Sequence, residues 1–316
     1  MLHAASKAAF HLLAGNRVLR RLASRYGMAS PSSFARRFIA GETVGEAIEA
    51  ARRLEAQGLA HTLDYLGESV GSAAEADAAT GAYIRVLDAV VASGIGRNIS
   101  LKLTQLGLDL GEDLAAANLR RILDAARPHG FFVRIDMENS PYTEVTLRIF
   151  ERLWDAGYTS VGVVLQSALM RTDQDLERVM ARGARIRLVK GAYTEPADVA
   201  YQRKADVDAA YERQMQRLLR DGQFPALATH DTDLIEAAKA FAAREGIDKA
   251  RFEFQMLYGI RRDLQARLAQ DGYGVRVYIP FGSQWFPYFM RRLGERPANV
   301  GFVLKVLQGK DKSPGE

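Results

Sequence analysis

FFVRIDMENSPYTEVTLRIFERLWDAGYTSVGVVLQS, residues 131–167, holds the pattern that the rest of the chain repeats. It opens on an apolar run, Phe131–Ile135, that stops at Asp136, Met137, Glu138 and Asn139. Val145–Ala156 then spaces apolar side chains as one face of a helix, Gly157 breaks the pattern, and Val161–Leu165 is a second apolar run closed by Gln166. Two short runs rich in apolar residues, separated by a helical pattern, read as a strand, a helix and a strand.

The same alternation extends in both directions. Further strand-like runs are Leu59–Leu63, Ile99–Leu103, Ile186–Val189, Ala226–Ala228, Phe252–Gln255 and Val275–Tyr278, at a mean spacing of roughly 30 residues. Helical spacing recurs over Glu75–Val91, Leu114–Ala126, Val207–Leu219 and Leu234–Ala243, with Gly94, Gly96, Pro128, Gly130, Gly183, Pro225, Gly272 and Gly274 at the breaks. Eight β-α units over about 250–270 residues suit a (β/α)8 barrel in length and number. The main rival, a doubly wound open sheet, usually carries a glycine-rich dinucleotide fingerprint after its first strand, whereas here Asp64, Tyr65, Leu66, Gly67 and Glu68 follow.

The 316 residues are 48% hydrophobic and 26% charged, as in an ordinary globular chain, and cysteine is absent. Disulfides, thiolate-ligated metals and cysteine nucleophiles are thereby excluded. No stretch approaches the ~18 uninterrupted apolar residues of a membrane span. The net charge of +5 is unevenly placed. Residues 1–41 hold Lys7, Arg17, Arg20, Arg21, Arg25, Arg36 and Arg37 and no acid, while the rest carries 36 basic against 38 acidic side chains. The basic character belongs to an N-terminal arm, so nucleic-acid binding by the body is not expected. Residues 3–25 read as an amphipathic helix with Ala5, Ala8, Leu12, Leu19 and Ala23 on one face and Lys7, Arg17, Arg21 and Arg25 opposite, although Phe10 lies among the bases. An arm packed on the body, contact with an anionic membrane surface, and a cleaved targeting peptide are the competing readings; no processing signal marks the last.

In a barrel the chemistry gathers at the carboxyl ends of the strands. Reading those ends in order gives Asp64; Lys102 within strand 2; Asp136 to Asn139; Gln166; Arg187 and Lys190, followed by Gly191, Ala192 and Tyr193; Thr229, His230 and Asp231; Gln255 within strand 7; and Tyr278. Polar groups of both signs at nearly every strand end are costly as core packing and point to an active site there. Lys102 and Asp136 alone would read as a structural pair. Lys190 suits either a Schiff base or an anion contact. His230 suits a base, a metal ligand or a donor to a cofactor, and no second histidine at ligand spacing accompanies it. The last helix, Gln284–Glu295, carries Tyr288, Arg291 and Arg292. Adjacent arginines diverge by about 100°, so they converge only on something beyond the helix surface; two solvated arginines, with Arg292 paired to Glu295, are the alternative.

Together these segments resemble proline dehydrogenase in its compact, single-function bacterial form. The matching stretches are SLKLTQLGLDL (100–110), VRIDMENS (133–140), VGVVLQS (161–167), RLVKGAY (187–193), LATHDTDLI (227–235), FEFQMLYG (252–259) and YIPFGSQWFPYFMRRLGERPANV (278–300). They cover strands 2 to 8 and the last helix; the arm carries no motif. The resemblance implies a distorted (β/α)8 TIM barrel over residues 42–316 with the final helix over the barrel top; the basic helical arm at 1–41 is read from its charge and apolar spacing alone. It implies non-covalent FAD and oxidation of L-proline to Δ1-pyrroline-5-carboxylate by hydride transfer from C5 to flavin N5. By the same resemblance Arg291, Arg292 and Lys102 would bind the substrate carboxylate, and Tyr278 and Tyr288 would wall the proline ring. Asp136 and Arg187 would be catalytic, with Arg187 beside N5, and Met137, Gln166, Arg187, Lys190, Gly191, Ala192, Thr229, His230, Gln255 and Leu257 would contact the flavin. Asp231 stands where many members have Asn, and no cofactor role is transferred to it. Electrons would pass to a membrane quinone, with the protein cytoplasmic or held by its arm at the inner face of the cell membrane. No aldehyde-dehydrogenase domain is read in the sequence, so a separate pyrroline-5-carboxylate dehydrogenase would consume the product. A Schiff-base aldolase built on Lys190 and a non-catalytic flavin-binding module are the alternatives.

Overall fold

The structure, a computed structural model, describes residues 34–294. The expected arm helix at 3–25 and the Arg292–Glu295 pair lie outside the described residues.

Eight strands follow one another around a closed parallel barrel: β1 (Ala60–Tyr65), β2 (Asn98–Leu101), β3 (Phe132–Ile135), β4 (Val161–Gln166), β5 (Ile186–Val189), β6 (Ala226–Ala228), β7 (Glu253–Leu257) and β8 (Gly274–Phe281). Helix α1 (Val44–Glu55) precedes β1. One helix then follows each strand in turn: α2 (Ala73–Ser93), α3 (Glu112–Ala126), α4 (Thr143–Asp155), α5 (Thr172–Met180), α6 (Lys204–Asp221), α7 (Thr232–Arg244), α8 (Arg262–Gln270) and α9 (Trp285–Gly294). Every residue of β4 is buried, as a strand covered on both faces requires.

The strand edges differ from the sequence expectation where pairing extends them. β1 reaches Tyr65 and β8 reaches Phe281 because the two pair from Ala60↔Arg276 to Tyr65↔Phe281 as the barrel closes. Tyr278 therefore lies inside β8 rather than at its end. Conversely, β2 stops at Leu101, so Lys102 is the first residue beyond the strand and not part of it. Gln255 lies within β7, as expected.

The closing helix is displaced from its usual place. α1, started by a capping box between Thr43 and Glu46, packs outside β1 and β8, where the last helix of a regular barrel would sit. α9 instead joins a separate apolar cluster in which Trp285, Phe286, Tyr288 and Met290 meet Ala35, Phe38, Ile39 and Leu66. The segment before α1 is tied to the end of β8: the Ala40 N–H donates to Pro280 O at 3.0 Å, and the Gly282 N–H to Gly41 O at 3.0 Å. The Trp285 indole N–H donates to Glu42 Oε1 at 2.9 Å. Gly259, with φ +74°, lets this segment approach, since a Cβ there would stand 1.7 Å from Arg37 O. Among the described residues no helix is long and apolar enough to cross a membrane.

Candidate active site

A cavity of about 410 Å³ opens at the carboxyl ends of the strands. Lys102, Asp136, Met137, Gln166, Arg187, Lys190, Gly191, Ala192, Thr229, His230, Gln255, Leu257, Tyr278, Tyr288, Arg291 and Arg292 all line it, so the structure brings together every residue singled out for a role. Because α9 contributes three of these, it lies over the barrel mouth.

The floor is a buried polar network centred on Arg187, which is 4% exposed. Its Nη1 donates to Asp136 Oδ1 at 2.7 Å, its Nε to Gln255 Oε1 at 2.5 Å and its Nη2 to Ser100 Oγ at 3.1 Å. Three of the five guanidinium N–H groups are engaged in this way, from three different parts of the barrel. Asp136 also accepts from the Tyr278 hydroxyl at 2.7 Å, and the Arg187 guanidinium stands 5.4 Å from the centre of that ring. Burial, with Asp136 adding to it, pushes the Tyr278 hydroxyl well above its ordinary pKa, so it stays a donor. Asp136 thus orients both Arg187 and Tyr278.

Lys102 Nζ lies 3.7 Å from Asp64 Oδ1 and 3.8 Å from Asp136 Oδ2, two ion pairs that are both longer than a hydrogen bond. Burial works against the ammonium, but the two carboxylates outweigh it and hold the Lys102 pKa above the ordinary lysine value. Asp64, fully buried behind it, is raised by burial, an effect that Lys102 moderates. On α9, Arg291 Nη1 donates to Glu68 Oε1 at 2.6 Å, and Arg292 stacks over Tyr288 with 5.4 Å to the ring centre.

The other side of the cavity is lined by Val164, Val189, Ala228, Met256 and Leu257. His230 Nε2 accepts the Leu257 backbone N–H at 2.9 Å, so the imidazole proton sits on Nδ1. That leaves His230 as a donor, and it cannot serve as a base through Nε2. Gln166 donates to Glu138 O at 2.8 Å. Gly191 adopts φ +115°, and a Cβ on it would stand 3.2 Å from Ala168 Cβ and 3.4 Å from Gln166 Oε1, so the chain leaves room here that a side chain would fill. Lys190 Nζ is gripped by Asp208 at 2.5 Å and Asp231 at 2.7 Å, an arrangement for an ion-paired ammonium rather than a nucleophilic amine. Asp231 is offset by its Lys190 ion pair and also caps α7 by accepting the Asp233 N–H at 3.2 Å, so it is structurally employed.

Two residues read at the strand ends were given no role: Tyr193, which lines the cavity with its hydroxyl pushed up to about 12 by burial, and Asp64, which pairs with Lys102. Glu68 and Asp208 were missed as ion-pair partners, since which cation each meets depends on loop paths that no local motif encodes.

A family model described as proline dehydrogenase matches residues 47–305. Proline dehydrogenase 1 of Bacillus subtilis is 42% identical over 301 residues, covering 95% of this chain and 98% of the relative. Proline dehydrogenase of Deinococcus radiodurans is 45% identical over 282 residues, covering 88% and 91%. Among solved structures, proline utilization A from Bdellovibrio bacteriovorus, inactivated by N-propargylglycine, superposes with a TM-score of 0.77 at 26% identity; the match covers 88% of this chain and 34% of that one.

Proposed function

The chain belongs to the proline dehydrogenase family of oxidoreductases, and on that premise we propose that it oxidises L-proline to Δ1-pyrroline-5-carboxylate using non-covalently held FAD. The observation that carries this reading is the gathering of three cations, Lys102, Arg291 and Arg292, around the same cavity as the anchored Arg187. A small amino acid needs its carboxylate taken out of water, and only paired, geometrically fixed cations make that affordable. Arg291 and Arg292 offer forked donors suited to a carboxylate, and Lys102 adds a point charge. Tyr278 and Tyr288 supply flat apolar faces for the pyrrolidine ring.

The residues present fit a flavin. The glycine opening at 191, the apolar wall and the Nδ1–H of His230 suit a flat heterocycle bearing acceptor atoms. Met137, Gln166, Lys190, Gly191, Ala192, Thr229, His230, Gln255 and Leu257 would hold it. When bound, FAD would supply the two-electron acceptor for oxidation at proline C5, with a quinone as the eventual electron acceptor. Arg187 presents a fixed positive charge to the cavity, which favours negative charge developing there. Asp136 holds that guanidinium and the Tyr278 hydroxyl in place. The basic arm, with five of its cations within residues 1–33, would keep the protein at an anionic membrane where the quinone resides.

The visible spectrum of the purified protein tests the reading. A yellow protein whose flavin bleaches on anaerobic addition of proline is the expected result. A protein that stays colourless after production with ample riboflavin rejects it, as does a bound flavin that proline leaves oxidised.

A further inference from the structure

β7 carries a buried carboxylate beneath the cavity that the chemistry above does not use. Glu253 and Gln255, two apart on the strand, project on the same side of it, into the barrel. Glu253 is 5% and Gln255 4% exposed. Glu253 Oε1 accepts two donors, Gln255 Nε2 at 2.5 Å and Arg276 Nε at 2.8 Å, while Arg276 Nη1 donates to His61 O at 2.7 Å. Register explains the meeting, since Gln255 pairs with Arg276 on β8, and Ala226 on β6 pairs with both Glu253 and Arg187.

The Gln255 amide has a donor end and an acceptor end of nearly equal size. Only one orientation gives Arg187 Nε an oxygen. An ionised carboxylate is acceptor-only, so Glu253 draws the NH₂ end to itself and turns the oxygen toward Arg187. Without an obligate acceptor at 253, only Arg187 selects the amide's orientation, and the two orientations come closer in energy, so that a donor can face a donor in a buried site. We propose that Glu253 is a positioning residue: by fixing the Gln255 amide from below, it sets the orientation of the Arg187 guanidinium in the active-site cavity. Its effect on turnover rests on the function proposed above; its effect on Arg187 does not.

The test uses the full-length protein with 15N-labelled arginine. The Arg187 Nε–H resonance, identified by its loss in Arg187→Lys, is followed for exchange with solvent. In Glu253→Gln the exchange is expected to quicken by about tenfold or more, since a buried, well-made hydrogen bond is what protects the proton. The double variant Glu253→Gln with Gln255→Glu restores an obligate acceptor at 255 and the net charge, so protection is expected to return. In proline oxidation, kcat is expected to fall about tenfold in Glu253→Gln with KM little changed. Unchanged exchange in Glu253→Gln overturns the proposal, and so does exchange that stays fast in the double variant. Should Glu253→Gln not fold, Gln255→Met is measured instead, and a proton still protected there is equally fatal. If the parent protein does not oxidise proline, the proposed function fails while the exchange measurement still decides the role of Glu253.

Discussion

Arg291 and Lys102 reach the same cavity under different constraints. Arg291 is paired with Glu68, which keeps 32% side-chain exposure, so removing the arginine leaves no stranded buried charge. Arg291→Met should therefore leave folding nearly intact while raising KM for proline by about 100-fold, the scale of a lost charged hydrogen-bond pair. Steady-state kinetics beside flavin retention checks this; an unchanged KM removes Arg291 from the carboxylate site. Lys102 differs because its partner Asp64 has 1% side-chain exposure. Lys102→Met strands that carboxylate and should cost about 3 kcal/mol at neutral pH. The sign with pH follows from Asp64. Its folded pKa already lies above the ordinary 3.8 and rises further without the lysine. A raised carboxyl adds stability below its unfolded pKa and loses it as pH rises. The deficit of Lys102→Met should thus be largest near neutrality and shrink as pH falls and Asp64 takes up a proton. Urea denaturation at two pH values measures it, and a deficit that does not change with pH contradicts the pairing.

Between residue and molecule, the decisive element is α9. It holds Tyr288, Arg291 and Arg292 over the barrel mouth through an apolar cluster anchored by Trp285, which is 1% exposed and donates to Glu42. Trp285→Ala should cost about 3–5 kcal/mol, as large aromatic truncations do. Because α9 carries part of the cavity wall, the same change should raise proline KM by about tenfold. A lowered melting temperature with an unaltered KM would show that docking of α9 and substrate binding are separate matters. Elements of this kind also mark where sequence reading succeeds and stops. The strands were legible because both their faces are buried and their polar residues cluster at one end, which is how VRIDMENS and RLVKGAY could be read as strand followed by site. Strand ends were less legible: Lys102 falls outside β2 and Tyr278 inside β8, since hydrogen-bond register with a neighbour distant in sequence sets where pairing stops. α1 went unread although Thr43 and Glu46 spell a capping box, because a scheme of strand followed by helix has no place for a helix ahead of the first strand. The contact Arg291–Glu68 was out of reach, as it joins the last helix to the loop after β1, and Lys190–Asp208 depends on how the long loop between β5 and α6 folds back.

At the scale of the whole molecule, charge is divided between an arm of +7 and a body with slightly more acids than bases. A body of that kind has little attraction for an anionic surface, so attachment, if it serves electron delivery, has to come from the arm. Each basic residue near such a surface contributes about 1 kcal/mol, falling off within a Debye length. Five of the seven cations lie in residues 1–33, ahead of Ala35, which is buried against α9. Deleting 1–33 therefore removes most of the attraction without touching the docked segment. The truncated protein should lose most of its pelleting with anionic liposomes at low salt, yet oxidise proline at the parent rate with a soluble electron acceptor. The parent's binding should itself weaken steeply as salt is raised. Equal pelleting by the two forms rejects the arm as the anchor, and a parallel loss of soluble-acceptor activity assigns the arm to the barrel instead of the membrane.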